Sequence, residues 1–263
     1  MTEHVPIFGA ALLARSVTRG SAASALGRGS TTRFRRRLTT VRTWAWRLLT
    51  ICAASVAGPV LAQTTMYIGK SISLVTPPGQ CLLGDSKLER DVKDRAANAM
   101  TGYNHVLAVF GECREVAQLR AGKAIPFSSF GQILTAQPKG KPVTMGGMGR
   151  ADYLARMRKQ AGDFNDAFRR MKEDLKSRNP LVGTTQNLGV LGMDHAAAYV
   201  GMLQDLPKGD GTATPGTGVI AFTTVQDVPI TINFYRRGQG AKVLDEMVKT
   251  QAATAAGFVA ANR

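Results

Sequence analysis

Beyond position 62, the residues whose types could do chemistry together are few. They are two cysteines, Cys81 and Cys113, two histidines, His105 and His195, and the nearby Glu112. A zinc centre needs three or four ligands at defined spacing, and no HxH, HExxH or paired CxxC pattern occurs. A composite polar site of His105, His195 and Glu112 would require the fold to join distant segments. Met145 and Met148 in TMGGM are thioethers of the kind that select Cu(I), but two such donors make a thin ligand set. Nucleophilic catalysis needs an activated Ser or Cys with a base in reach. There is no GxSxG, and Ser128 and Ser129 sit in no such motif. The glycine-rich stretches GGMGR and GDGTATPGTG lack the Lys-Ser/Thr that closes a phosphate loop. The expectation is therefore a protein without catalytic residues, metal or cofactor. The competing expectation is a hydrolase or metal-dependent enzyme built around His105 and His195.

The N-terminal part reads as an export signal. Arg33, Arg35, Arg36, Arg37, Arg42 and Arg47 precede an uncharged run from Leu48 to Ala62. That run of about 15 residues falls short of the ~20 a spanning helix needs, and it ends on the small residue Ala62. Residues 41–62 thus match a secretory signal peptide, with the working domain expected over 63–263. Residues 1–40, rich in Ser, Thr, Gly, Ala and Arg, read as a disordered leader or as sequence upstream of a true start at Val41. The chain of 263 residues carries 34 basic and 18 acidic side chains, net +16. Residues 1–62 hold nine Arg and one Glu, so the remainder keeps 25 basic against 17 acidic and each part carries +8. Removing the signal halves the excess, which weakens the nucleic-acid reading of the high pI.

Export also bears on the cysteines. Cys52 lies inside the apolar run, leaving an even pair in an oxidising compartment, and such a pair predicts a Cys81–Cys113 disulfide.

The elements that must position these residues follow from periodicity and breakers. Residues 68–76 alternate as a strand, broken by Pro77-Pro78-Gly79. Ser86 or Asp85, with Glu89 three or four residues on, predicts a capped helix over 86–100 bearing Leu88, Val92, Ala96 and Met100 on one face. Strands are expected at 103–110 and 126–137, with helical turns at 113–120 and a loop at 138–149. Leu154, Met157, Ala161, Phe164, Phe168, Met171 and Leu175 recur every three or four residues, predicting one helix over 150–178. Its other faces carry Arg156, Arg158, Lys159, Arg169, Arg170 and Lys172, a candidate surface for an anionic membrane or an acidic partner. Strand-rich stretches at 187–205 and 217–236, with a turn at Gln226-Asp227, lead to a closing helix over 240–261. Mixed order with adjacent late strands predicts an α+β domain, an antiparallel-dominated sheet with helices packed on it.

This order, with an opening strand into Pro-Pro-Gly, central helices, and late strands ending at TTVQDVPITINFYRR before a final helix, resembles the PsbP-like fold over most of 68–262. The resemblance implies a non-enzymatic adaptor or assembly factor and carries over no site residues. The expected partners are an envelope protein or an anionic membrane surface, with no nucleic acid and no transmembrane segment in the exported part.

Overall fold

The computed structural model describes residues 63–160, 185–207 and 212–263. The chain enters through a hairpin of β1 (Gln63–Tyr67) and β2 (Lys70–Leu74). The expected strand over 68–76 is in fact this hairpin's turn and second arm. Ile68 and Gly69 adopt φ of 45° and 75°, the left-handed pair that a two-residue hairpin turn demands. Glycine supplies that geometry freely, whereas a β-branched residue does so under strain.

Edge strand β3 (Gln80–Leu82) leads to α1 (Lys87–Met100). Its N-terminus closes as expected: Glu89 N–H donates to Ser86 Oγ, and the Glu89 carboxylate accepts from Ser86 N–H. Val92, Ala96 and Met100 are buried one turn apart along one face. Next come β4 (Asn104–Glu112), α2 (Cys113–Arg120), β5 (Ser129–Ala136) and α3 (Arg150–Lys159). A run of four strands follows, β6 (Thr185–Met193), β7 (Ala198–Pro207), β8 (Ala213–Val225) and β9 (Val228–Arg237), and α4 (Ala241–Ala261) closes the chain. Turn residues Gln226 and Asp227, with φ of 47° and 69°, form the tight β8–β9 hairpin.

Seven strands form one sheet in the order β3-β4-β5-β9-β8-β7-β6, every neighbouring pair antiparallel. With the four helices among the described residues, this is the α+β domain that the pattern predicted. The sheet is covered on both faces. On the first, α4 sets Met247, Ala255, Phe258 and Val259 against Val219, Ala221, Ile230 and Ile232. The small residues of α4 bring its backbone close, and Gly257 lies against Val75, the residue that follows β2. Asn262 clamps the hairpin to this helix by accepting from Ser73 N–H at 2.7 Å and donating to Ser73 O at 2.9 Å. On the second face, α1 and α2 cover Val109 through Val92, Ala96, Val116 and Leu119. Farther across, α3 covers Val200, Ile220 and Phe222 through Tyr153, Leu154 and Met157. The candidate site lies on this second face.

Candidate functional site

Strand pairing lays the second face out in rows. One row runs Val109, Gln132, Asn233, Ile220, Val200 across β4, β5, β9, β8 and β7. The adjacent row runs Gly111, Phe130, Tyr235, Gly218, Met202. Gln132 and Asn233 are thus directly opposed at the sheet centre, which puts their Cβ atoms about 5 Å apart. Tyr235 stands two residues farther along β9 on the same face, about 7 Å away.

All three are sealed from solvent, at 2%, 0% and 1% exposure for Gln132, Asn233 and Tyr235. Yet Asn233 Nδ2 and Oδ1, Gln132 Oε1 and the Tyr235 hydroxyl find no hydrogen-bond partner among the described residues. A buried polar group left unpaired costs about 1–3 kcal/mol in proteins, so a cluster of four such atoms at the centre of a well-packed sheet is a feature in need of a cause. Burial pushes the Tyr235 phenol far above its ordinary range, and does the same to Tyr153 of α3 in the same cluster. Both therefore stay neutral at physiological pH. The surroundings are apolar: the Phe130 and Tyr235 rings lie 5.2 Å apart, and Ile220, Phe222, Met202 and Met157 belong to the same cluster. Gly218 is required between the Met202 and Tyr235 side chains, since a Cβ there would come within 2.7 and 2.8 Å of them. Gly111 is required under the Phe127 ring, which would lie 2.5 Å from a Cβ.

Two braced walls flank this centre. On one side, the Cys81–Cys113 disulfide joins β3 to the start of α2, with a Cα–Cα distance of 4.8 Å. Arg120 at the end of α2 completes that brace by donating to Glu89 Oε1 at 2.8 Å and to Leu82 O at 3.0 Å. Burial alone would raise the Glu89 carboxyl; donation from Gly84, Ser86 and Arg120 outweighs it and holds the group down at about 2. On the other side, the loop before α3 is tied to the β8–β9 turn. Met145 N–H donates to Asp227 O at 2.9 Å and Gly147 N–H to Asp227 Oδ1 at 2.8 Å. Met145 and Met148 pack against the α3 cluster, so this pair is lining for the core.

The residues singled out from sequence fall elsewhere. His105 lies on the first face of β4, stacked on Tyr67 with ring centroids 5.3 Å apart, and partial burial lowers its pKa. His195 is exposed in the turn between β6 and β7, where the pattern expected it inside a strand. That turn is organised by Asp194, which accepts from Ala196 N–H, Ala197 N–H and the Tyr199 hydroxyl at 2.7, 2.9 and 2.7 Å. From β4 to β7 is four strand spacings, about 19 Å, so the fold keeps the two histidines apart. Glu112, at the far end of β4 from His105, accepts from Ser128 Oγ at 2.7 Å. Glu115 accepts from Ser128 N–H beside it, and burial followed by the Glu112 charge raises its pKa. Among the described residues no group of three or more His, Cys, Asp or Glu could hold a metal ion.

Arg156, Arg158 and Lys159 are exposed on α3; Arg169, Arg170 and Lys172, and the helix expected to run to 178, lie outside the described residues. Among the described residues no helix is long and apolar enough to cross a membrane.

Gln132, Asn233 and Tyr235 escaped the sequence reading. Alternation in ITINFY puts Thr231, Asn233 and Tyr235 on one side and Ile230, Ile232 and Phe234 on the other, which reads as a solvated face opposite a buried one. The signal that could have marked them is position: β9 and β5 join the two halves of the sheet, and a polar residue on such a central strand meets helix on either side. No family model matches this chain, and no curated protein and no solved structure was found similar to it.

Proposed function

We propose that this is an exported, disulfide-bonded protein that acts by binding rather than by catalysis, as an adaptor or envelope component. The observation that carries the reading is the Gln132–Asn233–Tyr235 cluster. Its groups are neutral amides and a buried phenol, chemistry suited to holding a partner molecule and poorly suited to proton transfer at pH 7. The disulfide supports an oxidising compartment, and the basic, uncharged-core, small-residue pattern of 41–62 supports export. The resemblance to the PsbP-like fold points to the same class of role. Exposed Arg156, Arg158 and Lys159 on α3 are the side chains available for an acidic partner or an anionic membrane surface.

The test is expression of the full chain in a Gram-negative host, followed by fractionation, N-terminal sequencing and mass measurement with and without reductant. The expected product lies outside the cytoplasm, begins near Gln63 and gains two alkylation sites only after reduction. A cytoplasmic, unprocessed product with free thiols would overturn the reading.

A further inference from the structure

We infer that the Gln132–Asn233–Tyr235 centre is a binding site for a small neutral molecule that presents a hydrogen-bond donor and an acceptor side by side, as a lactam or carboxamide edge does. This deepens the proposed binding role and rests on it. Asn233 has a free donor and a free acceptor at once, Gln132 a free acceptor, and Tyr235 a hydroxyl able to do either. They stand on one face of two adjacent strands, within reach of a single small molecule. A ligand offering both functions satisfies them together, whereas a pure acceptor would leave Asn233 Oδ1 and Gln132 Oε1 unpaired.

The charge of the ligand follows from the same face. No residue in the rows around Gln132 and Asn233 is ionisable except the tyrosine, so an ion bound there would be buried without a counter-charge. Phe130, Phe222, Ile220 and Leu134 in the neighbouring positions call for a compact apolar body behind the polar edge. A purely structural role is disfavoured by the bonding itself. Two other buried amides are at least partly paired: Gln251 donates to Ile232 O at 2.6 Å although its Oε1 has no partner, and Asn262 makes three bonds. Asn233, at the centre of the sheet, makes none with either amide atom.

The experiment uses the full chain with its disulfide oxidised, so its outcome does not depend on export. Side-chain amide signals of Asn233 and Gln132 are followed by NMR while 2-pyrrolidinone, γ-butyrolactone and pyrrolidine are added in parallel. The three share one ring size and present, respectively, a donor with an acceptor, an acceptor only, and a cation. The lactam is expected to shift both amides saturably, with at least about tenfold higher affinity than the lactone, because a site built to hydrogen-bond rejects an analogue that lacks the group. The cation is expected to leave them unmoved. Thermal unfolding of Asn233→Leu and Gln132→Leu without ligand supplies the second readout. A ligand-binding role predicts a melting temperature unchanged or raised, since an apolar near-isostere removes unpaired polar atoms, together with loss of the lactam response. No lactam response in the wild type, or equal responses to lactam and lactone, overturns the inference. So does a melting temperature lowered in both variants. If the lactam binds but the protein is found unexported, the site stands and the compartment falls.

Discussion

Glu89 offers the sharpest test of how the α1–α2–β3 wall is held. Its carboxylate is 2% exposed and accepts from Gly84 N–H at 2.8 Å, Ser86 N–H at 3.1 Å and Arg120 Nε at 2.8 Å. These donors bring its pKa from the usual 4.5 down to about 2. A folded-state pKa below the unfolded one means that folding favours the ionised form. The stabilisation is therefore complete above about pH 5 and fades as pH falls through 4.5 towards 2. A depression of that size corresponds to roughly 3 kcal/mol at neutral pH. Arg120 is 51% exposed, so solvent screens part of its share, and roughly 2–3 kcal/mol is the expected contribution. Glu89→Gln keeps the shape but turns one acceptor into a donor facing Ser86 N–H or Arg120. Urea unfolding of wild type and E89Q should differ by roughly 2–3 kcal/mol at pH 7, narrowing to about 1 kcal/mol or less at pH 3. An equal difference at both pH values would show that the loss comes from packing and would refute the ionisation argument.

Two further outcomes bear on the same architecture. Reducing Cys81–Cys113, which spans 32 residues, should cost roughly 3–4 kcal/mol in the chain-entropy treatment; hydrogen exchange should rise first in β3, α1 and α2, and uniform exchange across the sheet would count against a local brace. Ile68→Asn should stabilise the protein by about 1 kcal/mol in thermal or urea unfolding, because Asn-Gly suits the left-handed pair that Ile68-Gly69 now adopts; a loss of stability would mean that the Ile68 side chain has a packing role.

What could be read ahead of the structure was whatever local physics decides. The capped start of α1 follows from Ser86 and Glu89 alone, as does the β8–β9 turn from the break at Gln226-Asp227 between two apolar runs. The cysteine pair follows from the even count left once the expected export signal is set aside. The opening hairpin was lost because its turn residue is isoleucine, a strand former by every local measure, forced through a left-handed turn by the register of β1 on β2. His195 was misplaced for the opposite reason, since the Asp194 side chain, by capturing Ala196 and Ala197 N–H, breaks an apolar run that carries no glycine or proline there.

The site itself was hidden by a correct rule applied to the wrong surroundings. Period-two alternation tells which residues of β9 share a face, and the structure keeps that parity: Ile230, Ile232 and Phe234 face α4, while Thr231, Asn233 and Tyr235 face the other way. Alternation does not tell whether the second face meets water. That depends on whether chain elements far apart in sequence converge on it, and here α1, α2 and α3 do. A polar row chosen for a solvated face would be costly once covered, by the desolvation of each unpaired amide. Its presence at the centre of a two-sided core, with Gly111 and Gly218 opening space for the rings beside it, is better explained by a molecule that completes its hydrogen bonds. The same row that made β9 look half-exposed is therefore the strongest pointer to the proposed binding site.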